Sequence, residues 1–335
     1  MKTKIVCTIG PSVDSYEGIK KLVATGMNIA RVNCSHLDAE KARKVITHLQ
    51  DVRSKEKLDF MIMLDTKGPD IRIGLFENGS VDLIEGQTFT FTTKQIEGNK
   101  ERVYVNYPRL PEVVKKGQDI LLVDGMIRMV VTSTTDTDVL CKVELGGTLG
   151  GRKSMFVPGC ELGLPFLSEP DKADLKVAAE TKCDLIAASF VGSRKNLTDM
   201  KAWLKECGQE VPIISKIESV EAIGNLDEIL DETDGVMVAR GDLGVEYPIW
   251  ELPALQKMIV EKCRERGIFC IMATEMLESM IERPRPTRAE ATDIANAVWL
   301  GASAVMLSAE TAVGKYPFLA VDYMKKIASY AESQG

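Results

Sequence analysis

Pro212-Ile-Ile-Ser-Lys-Ile-Glu218 and Gly235-Val-Met-Val-Ala-Arg-Gly-Asp242 are two short apolar runs, each ending in charge, with an amphipathic stretch at 220–230 between them. A run without polar alternation reads as a strand covered on both faces, and an intervening helix reads as a parallel crossover. The same rhythm extends in both directions. Strand-like runs fall at 5–8, 29–32, 61–64, 184–189, 212–217, 235–239, 269–274 and 304–308. Helical periods fall at 16–25, 39–55, 171–180, 194–206, 220–230, 252–266, 287–300 and 318–331. Eight strand-helix units predict an α/β fold, a closed parallel (β/α)8 TIM barrel, rather than an open sheet. One connection breaks the rhythm. Residues 71–155 alternate like strands at 87–93 and 127–133, with turns at Asn78-Gly79 and Gly146-Gly147. They predict an all-β lid domain inserted after the third strand, with 1–70 and 156–335 forming the barrel. Without those 85 residues 250 remain, close to the usual barrel size of about 250.

Composition narrows the function. Of 335 residues 27% are charged and 45% hydrophobic, a globular balance. No apolar stretch is long enough for a membrane span, and no basic-then-apolar leader opens the sequence. The net charge of −7 speaks against general nucleic-acid binding, which needs a basic face. Eight cysteines without a Cys-x-x-Cys pair read as reduced thiols, so a cytoplasmic location is expected.

Barrel active sites lie at the C-terminal strand ends, and nearly all of these ends are polar: Asn33-Cys-Ser-His36, Asp65-Thr-Lys-Gly68, Ser189-Phe190, Lys216-Ile-Glu218, Arg240-Gly-Asp242, Thr274-Glu275 and Ser308-Ala-Glu310. Glu218 and Asp242, ending neighbouring strands, are candidate ligands of one Mg²⁺ or Mn²⁺, which favour hard oxygen donors. Lys216 faces the same mouth by strand alternation. A lysine beside a divalent ion suits an enolate or a migrating phosphoryl group. Gly241 allows a ligand close to the backbone. Asn33, Ser35, Asp65 and Thr66 form an oxygen cluster suited to a monovalent cation or to a hydrogen-bond network. Arg31 can fork onto a phosphate.

These residues resemble the pyruvate kinase family. The resemblance runs through Lys4-Ile-Val-Cys-Thr-Ile-Gly-Pro11, Gly26-Met-Asn-Ile-Ala-Arg-Val-Asn33, Leu64-Asp-Thr-Lys-Gly-Pro69, Ile214-Ser-Lys-Ile-Glu218, Met237–Glu246, Pro284-Arg-Pro-Thr-Arg-Ala-Glu290 and Ala304-Val-Met-Leu-Ser308. It implies phosphoryl transfer from phosphoenolpyruvate to ADP, giving pyruvate and ATP. It implies that Lys216, Arg31 and Thr274 serve catalysis, and that Arg31, Gly241, Asp242 and Thr274 receive the substrate. Asn33, His36, Arg72 and Lys153 would contact the nucleotide. Glu218 and Asp242 would hold Mg²⁺, and Asn33, Ser35, Asp65 and Thr66 would hold K⁺. Asp70 keeps a negative charge near that cluster, whereas Ile73 replaces a usual Thr. Gly192 and Glu275 are further departures. Most members carry a C-terminal effector domain; none follows the eighth helical stretch here, so no C-terminal allosteric site is expected. A homodimer through the late barrel helices is expected, with Trp250, Leu255, Met258, Val298, Trp299 and Leu300 as apolar material. A Mg²⁺-dependent lyase acting through a pyruvate enolate would share Lys216, Glu218 and Asp242, but needs no ADP.

Overall fold

A computed structural model describes residues 2–160 and 162–335. Eight parallel strands close into a barrel: Lys4–Thr8, Ile29–Asn33, Met61–Asp65, Leu185–Ala188, Ile213–Ile217, Gly235–Ala239, Phe269–Ala273 and Ala304–Leu307. Each pairs with its neighbours in chain order, and the first closes onto the eighth through Lys4↔Ala304 to Cys7↔Leu307. The strands expected from apolar runs are all present, with ends shifted by a residue or so.

The chain divides into two compact units. The first comprises Met1–Gly68, Phe166–Gly241 and Glu251–Gly335; the second comprises Pro69–Pro165 and Asp242–Trp250. Inside the first, Val6, Ile29, Met63, Ile214, Met237 and Ile271 belong to one buried apolar cluster. Successive strand residues point to opposite faces. Two residues beyond Val6, Ile29, Met63, Ala187 and Ile214 come Thr8, Arg31, Asp65, Ser189 and Lys216, all buried. The inward-facing rows thus change from apolar to polar at one level, the C-terminal end of the barrel.

Helices follow the strands, and their starts are locally encoded. Ser168 and Thr287 each accept a hydrogen bond from the backbone N–H of the third residue of the helix they precede, Asp171 or Glu290, whose carboxylate in turn accepts one from the cap N–H. Such reciprocal caps satisfy two backbone donors that a helix start leaves open. Two segments differ from expectation. The helix expected at 220–230 is two short helices, Val220–Gly224 and Leu226–Leu230, broken at Asn225, whose amide donates to the carbonyl of Gly192 at 2.8 Å. Arg240-Gly-Asp242, expected as a strand end, opens a helix, Arg240–Glu246. Asp242 is therefore a first-turn helical residue three positions beyond its strand.

The second unit is rich in β structure. A six-stranded sheet contains Thr88–Thr92, Ile127–Thr134 and Asp138–Leu145, and a two-stranded sheet pairs Ser80–Leu83 with Gly147–Gly150. Phe89 and Phe91, both fully buried, meet edge to face with ring centroids 5.4 Å apart. They pack in a buried cluster with Val103, Met129, Val139 and Cys141. Burial of each such large side chain contributes about 1.5–3 kcal/mol.

Candidate active site

Four charged side chains converge at the barrel mouth from the second, third and fifth strands. Arg31 donates from Nε to Asp65 Oδ2 at 2.6 Å and from Nη1 to Thr8 Oγ1 at 3.0 Å. Lys216 Nζ lies 3.2 Å from Asp65 Oδ1 and 2.9 Å from Glu218 Oε1. All four are buried, and two cations balance two carboxylates. Burial of unpaired charges would be prohibitive, so each makes the others tolerable. The effect is visible on Asp65. Burial alone would raise its carboxyl, but Arg31 and Lys216 outweigh it and hold Asp65 below the usual carboxylate range.

Ser189 and Phe190 complete this side. Ser189, at the end of the fourth strand, accepts from Lys216 Nζ at 2.7 Å and donates to the Thr66 carbonyl at 2.7 Å. Its own N–H donates to Thr66 Oγ1 at 3.1 Å. The Phe190 N–H donates to Glu218 Oε2 at 2.7 Å. Among the described residues nothing donates a hydrogen bond to the buried Glu218 Oε1; the Lys216 ammonium is an ion-pair partner of it. A buried carboxylate oxygen in that condition fits a site built to share a cation. No group of three or more His, Cys, Asp or Glu residues suited to a metal occurs among the described residues. A two-carboxylate arrangement is therefore the one to weigh.

The sixth and seventh strands end differently. Thr274 and Glu275 have φ of 74° and 55°, a left-handed conformation costly for a β-branched residue. Arg240 wraps this turn. It donates from Nε to the Ala273 carbonyl at 2.9 Å and from Nη2 to the Thr274 carbonyl, while Nη1 pairs with Asp293 at 2.6 Å. A Cβ at Gly241 would lie 3.0 Å from Thr274 Cγ2, so glycine gives the closest approach there. Glu310, fully buried, accepts from the Leu277 N–H at 3.0 Å and the Ser308 N–H at 2.7 Å, joining the ends of the seventh and eighth strands. Burial pushes its carboxyl up, against those backbone donors.

Behind the third strand, Asp171 Oδ1 accepts from the Gly68 N–H at 2.8 Å. Burial pushes the Asp174 carboxyl up to about 7, with Asp171 adding to the rise and Cys34 and Lys67 opposing it.

The structure thus joins Arg31, Asp65, Thr66, Lys216 and Glu218 in one network, and sets Gly241 against Thr274. Asn33 pairs with Asp65 in strand register, and its Oδ1 accepts from the Ser35 N–H at 3.1 Å. His36 is exposed in the turn that follows. Arg72 and Lys153 are neighbours in the second unit. Arg72 bridges to Ser154, pairs with Asp70 at 2.5 Å and donates from Nη1 to the Arg152 carbonyl. The Lys153 carbonyl accepts from the Ile73 N–H. Sequence reasoning noted Ser189 and Arg240 as strand-end residues but gave neither a place in the site.

A (β/α)8 barrel with a buried arginine, lysine and two carboxylates at its C-terminal mouth defines an enzyme for small oxyanionic substrates. Comparison with known proteins gives the particular kind. The family model "Pyruvate kinase, barrel domain" matches residues 1–321. A pyruvate kinase of Thermotoga maritima is 46% identical over 332 residues, spanning 99% of this chain and 71% of that protein. One from Dictyostelium discoideum is 46% identical, over 99% of this chain and 66% of its own length. The crystal structure of a pyruvate kinase from Cryptosporidium parvum superposes with a TM-score of 0.93 at 41% identity, covering 99% of this chain and 69% of that one. The chain belongs to the pyruvate kinase family and is a phosphotransferase of the glycolytic type.

Proposed function

We propose that this chain carries the phosphoryl group of phosphoenolpyruvate to ADP, giving pyruvate and ATP, with Lys216 at the centre of the reaction. The observation that carries this reading is the buried ammonium of Lys216, held among Ser189, Glu218 and Asp65 where the barrel interior turns polar. The bond between phosphorus and the enol oxygen breaks, and its electron pair stays on that oxygen as an enolate. A bond forms between phosphorus and a terminal oxygen of ADP. Lys216 faces the charge moving between these oxygens, and Arg31 holds the phosphoryl oxygens. Little covalent help is needed, since phosphoryl transfer is governed by positioning and charge neutralisation. Protonation at the enolate carbon completes pyruvate, on the side where Arg240 fixes Thr274 and Gly241 admits the substrate carboxylate.

Glu218 and Asp242 are the candidate ligands of Mg²⁺ or Mn²⁺, a reading that the Glu218 oxygen without a hydrogen bond supports for Glu218. Such an ion supplies positive charge to the substrate oxygens when bound. Asn33, Ser35, Asp65 and Thr66 offer oxygen donors for K⁺. Arg72, Lys153, His36 and Asn33 are the candidates for contact with the nucleotide. No helix among the described residues is long and apolar enough to cross a membrane; the eight cysteines without a Cys-x-x-Cys pair support a cytoplasmic location. Trp299 on Arg288–Leu300 and Trp250 are 56% and 78% exposed, apolar surface that supports a homodimer and that sedimentation would test.

A pyruvate assay with ADP, Mg²⁺ and K⁺ omitted in turn tests the reading. Pyruvate formation is expected to require ADP and the divalent ion, and to fall when tetramethylammonium replaces K⁺. Pyruvate released at full rate without ADP would overturn kinase chemistry in favour of a lyase.

A further inference from the structure

We propose that Ser189 is the positioning residue of Lys216, holding its ammonium in place without cancelling its charge. The inference rests on the phosphoryl-transfer reading and adds a residue to it.

The side chain of Ser189 is constrained from three directions. Its hydroxyl has one proton and two acceptors in range, the Thr66 carbonyl at 2.7 Å and Asp65 Oδ1 at 3.4 Å. The shorter contact takes the proton, because hydroxyl hydrogen bonds centre near about 2.7–2.8 Å. That choice turns a lone pair towards Lys216 Nζ, 2.7 Å away. The backbone is fixed as well, by the Ser189 N–H on Thr66 Oγ1. Gly68, with φ of 72°, packs so closely that a Cβ there would lie 2.7 Å from Ser189 Cβ. Ser189 is 2% exposed.

Charge separates Ser189 from Asp65 and Glu218, which also hold the ammonium. Asp65 and Glu218 attract Lys216 but also neutralise the positive charge that the reaction has to use. Asp65 is already committed to Arg31, and Glu218 Oε2 to the Phe190 N–H. A neutral hydroxyl gives direction and leaves the charge available to the substrate. Phe190, in a left-handed conformation at φ 54°, presents its N–H to Glu218 immediately after Ser189 has bound Lys216. One dipeptide therefore holds the lysine and the carboxylate beside it. Without the hydroxyl, the ammonium relaxes onto Asp65 and Glu218 and is both displaced and screened.

The test compares Ser189→Ala, Ser189→Thr, Lys216→Met and the Ser189→Ala/Lys216→Met double variant in the full chain. Misplacement of a reacting group by about 1 Å costs on the order of 10²-fold. Ser189→Ala is therefore expected to lose about 10–100-fold in kcat, with KM for phosphoenolpyruvate changed by less than about threefold. Ser189→Thr, which keeps the hydroxyl, is expected to recover most of that loss. In the Lys216→Met background, removal of the hydroxyl is expected to cost less than about twofold, because the group it positions is gone. Urea midpoints identify any variant whose loss comes from unfolding. If Ser189→Ala keeps wild-type kcat, if Thr fails to rescue a folded protein, or if the two losses multiply, the inference is overturned. If the wild-type chain makes no pyruvate from phosphoenolpyruvate and ADP, it is the phosphoryl-transfer reading that fails.

Discussion

The two sides of the barrel mouth reach fixed geometry by different means. From the second to the fifth strand, position is set by side-chain charge: Arg31, Asp65, Lys216 and Glu218 hold one another, with Ser189 among them. Towards the seventh and eighth, it is set by backbone. Thr274 and Glu275 occupy a left-handed turn, clasped through main-chain carbonyls by Arg240 and joined to the eighth strand by Glu310. The contrast shows two solutions to one demand. Charge that must act on a substrate is stabilised by nearby charge. A hydroxyl that must merely be aimed is held by strain and hydrogen bonds, at a cost of about 1–3 kcal/mol for such a conformation.

The largest effect should come from the charged side. Lys216→Met is expected to lower kcat by about 10³-fold or more, the scale of losing a preorganised electrostatic contact, with much less change in phosphoenolpyruvate affinity. A coupled pyruvate assay reads both, and equal losses in kcat and affinity would recast Lys216 as a binding residue. Asp65→Asn breaks two buried ion pairs at once, for which about 3–5 kcal/mol of stability is expected to be lost in urea unfolding. Its pH dependence carries a sign. Asp65 lies lower when folded than when unfolded, so its stabilisation is present above the ordinary carboxylate range and fades as pH falls through its lowered value. Asp65→Asn should therefore flatten the acid limb of the stability curve, and an unchanged limb would count against the network.

The backbone side predicts a smaller and different change. Arg240→Met frees the carbonyls of Ala273 and Thr274 and leaves Asp293 without its partner. A loss of about 10–100-fold in kcat is expected from the misaimed turn, accompanied by slower deuterium exchange at the methyl group of pyruvate. Normal exchange would separate Thr274 from protonation. The smallest effect concerns Asp174. Its carboxyl is raised to about 7 in the fold, so the fold favours its protonated form and loses stability as pH rises from the ordinary carboxylate range towards that value. Asp174→Asn should therefore be more stable than the parent at pH 8. Little difference is expected at pH 4. Thermal melts at the two values decide it.

The barrel was legible because buried parallel strands are written as unbroken apolar runs, and the turn from apolar to polar marks the functional end. Lys216 and Glu218 followed from alternation along one strand. Ser189 gained its role only through contact across the mouth, since nothing in Ser189-Phe190 announces a lysine 27 positions away. Arg240 and Asp293 are 53 residues apart, and their pairing depends on how a strand end meets a later helix. The helix Arg240–Glu246 was hidden by its two glycines, which lower helix propensity by about 1 kcal/mol each and are overridden by the surroundings. The left-handed turn at Thr274 was equally hidden, because a β-branched residue is among the last expected there.

The change from apolar to polar along the inward rows has a consequence for how this chain can vary. It is a phase shared by the first five strands of a closed eight-stranded barrel, and each carries it with a period of two. Insertion or deletion of a single residue inside the fifth strand would turn Lys216 outwards and bring Ser215 in. Closure with both neighbours would prevent the rest of the barrel from following. Length change in this lineage should therefore be confined to the connections, as the long excursion after the third strand already illustrates. Within the strands, substitution alone is left to explore new chemistry.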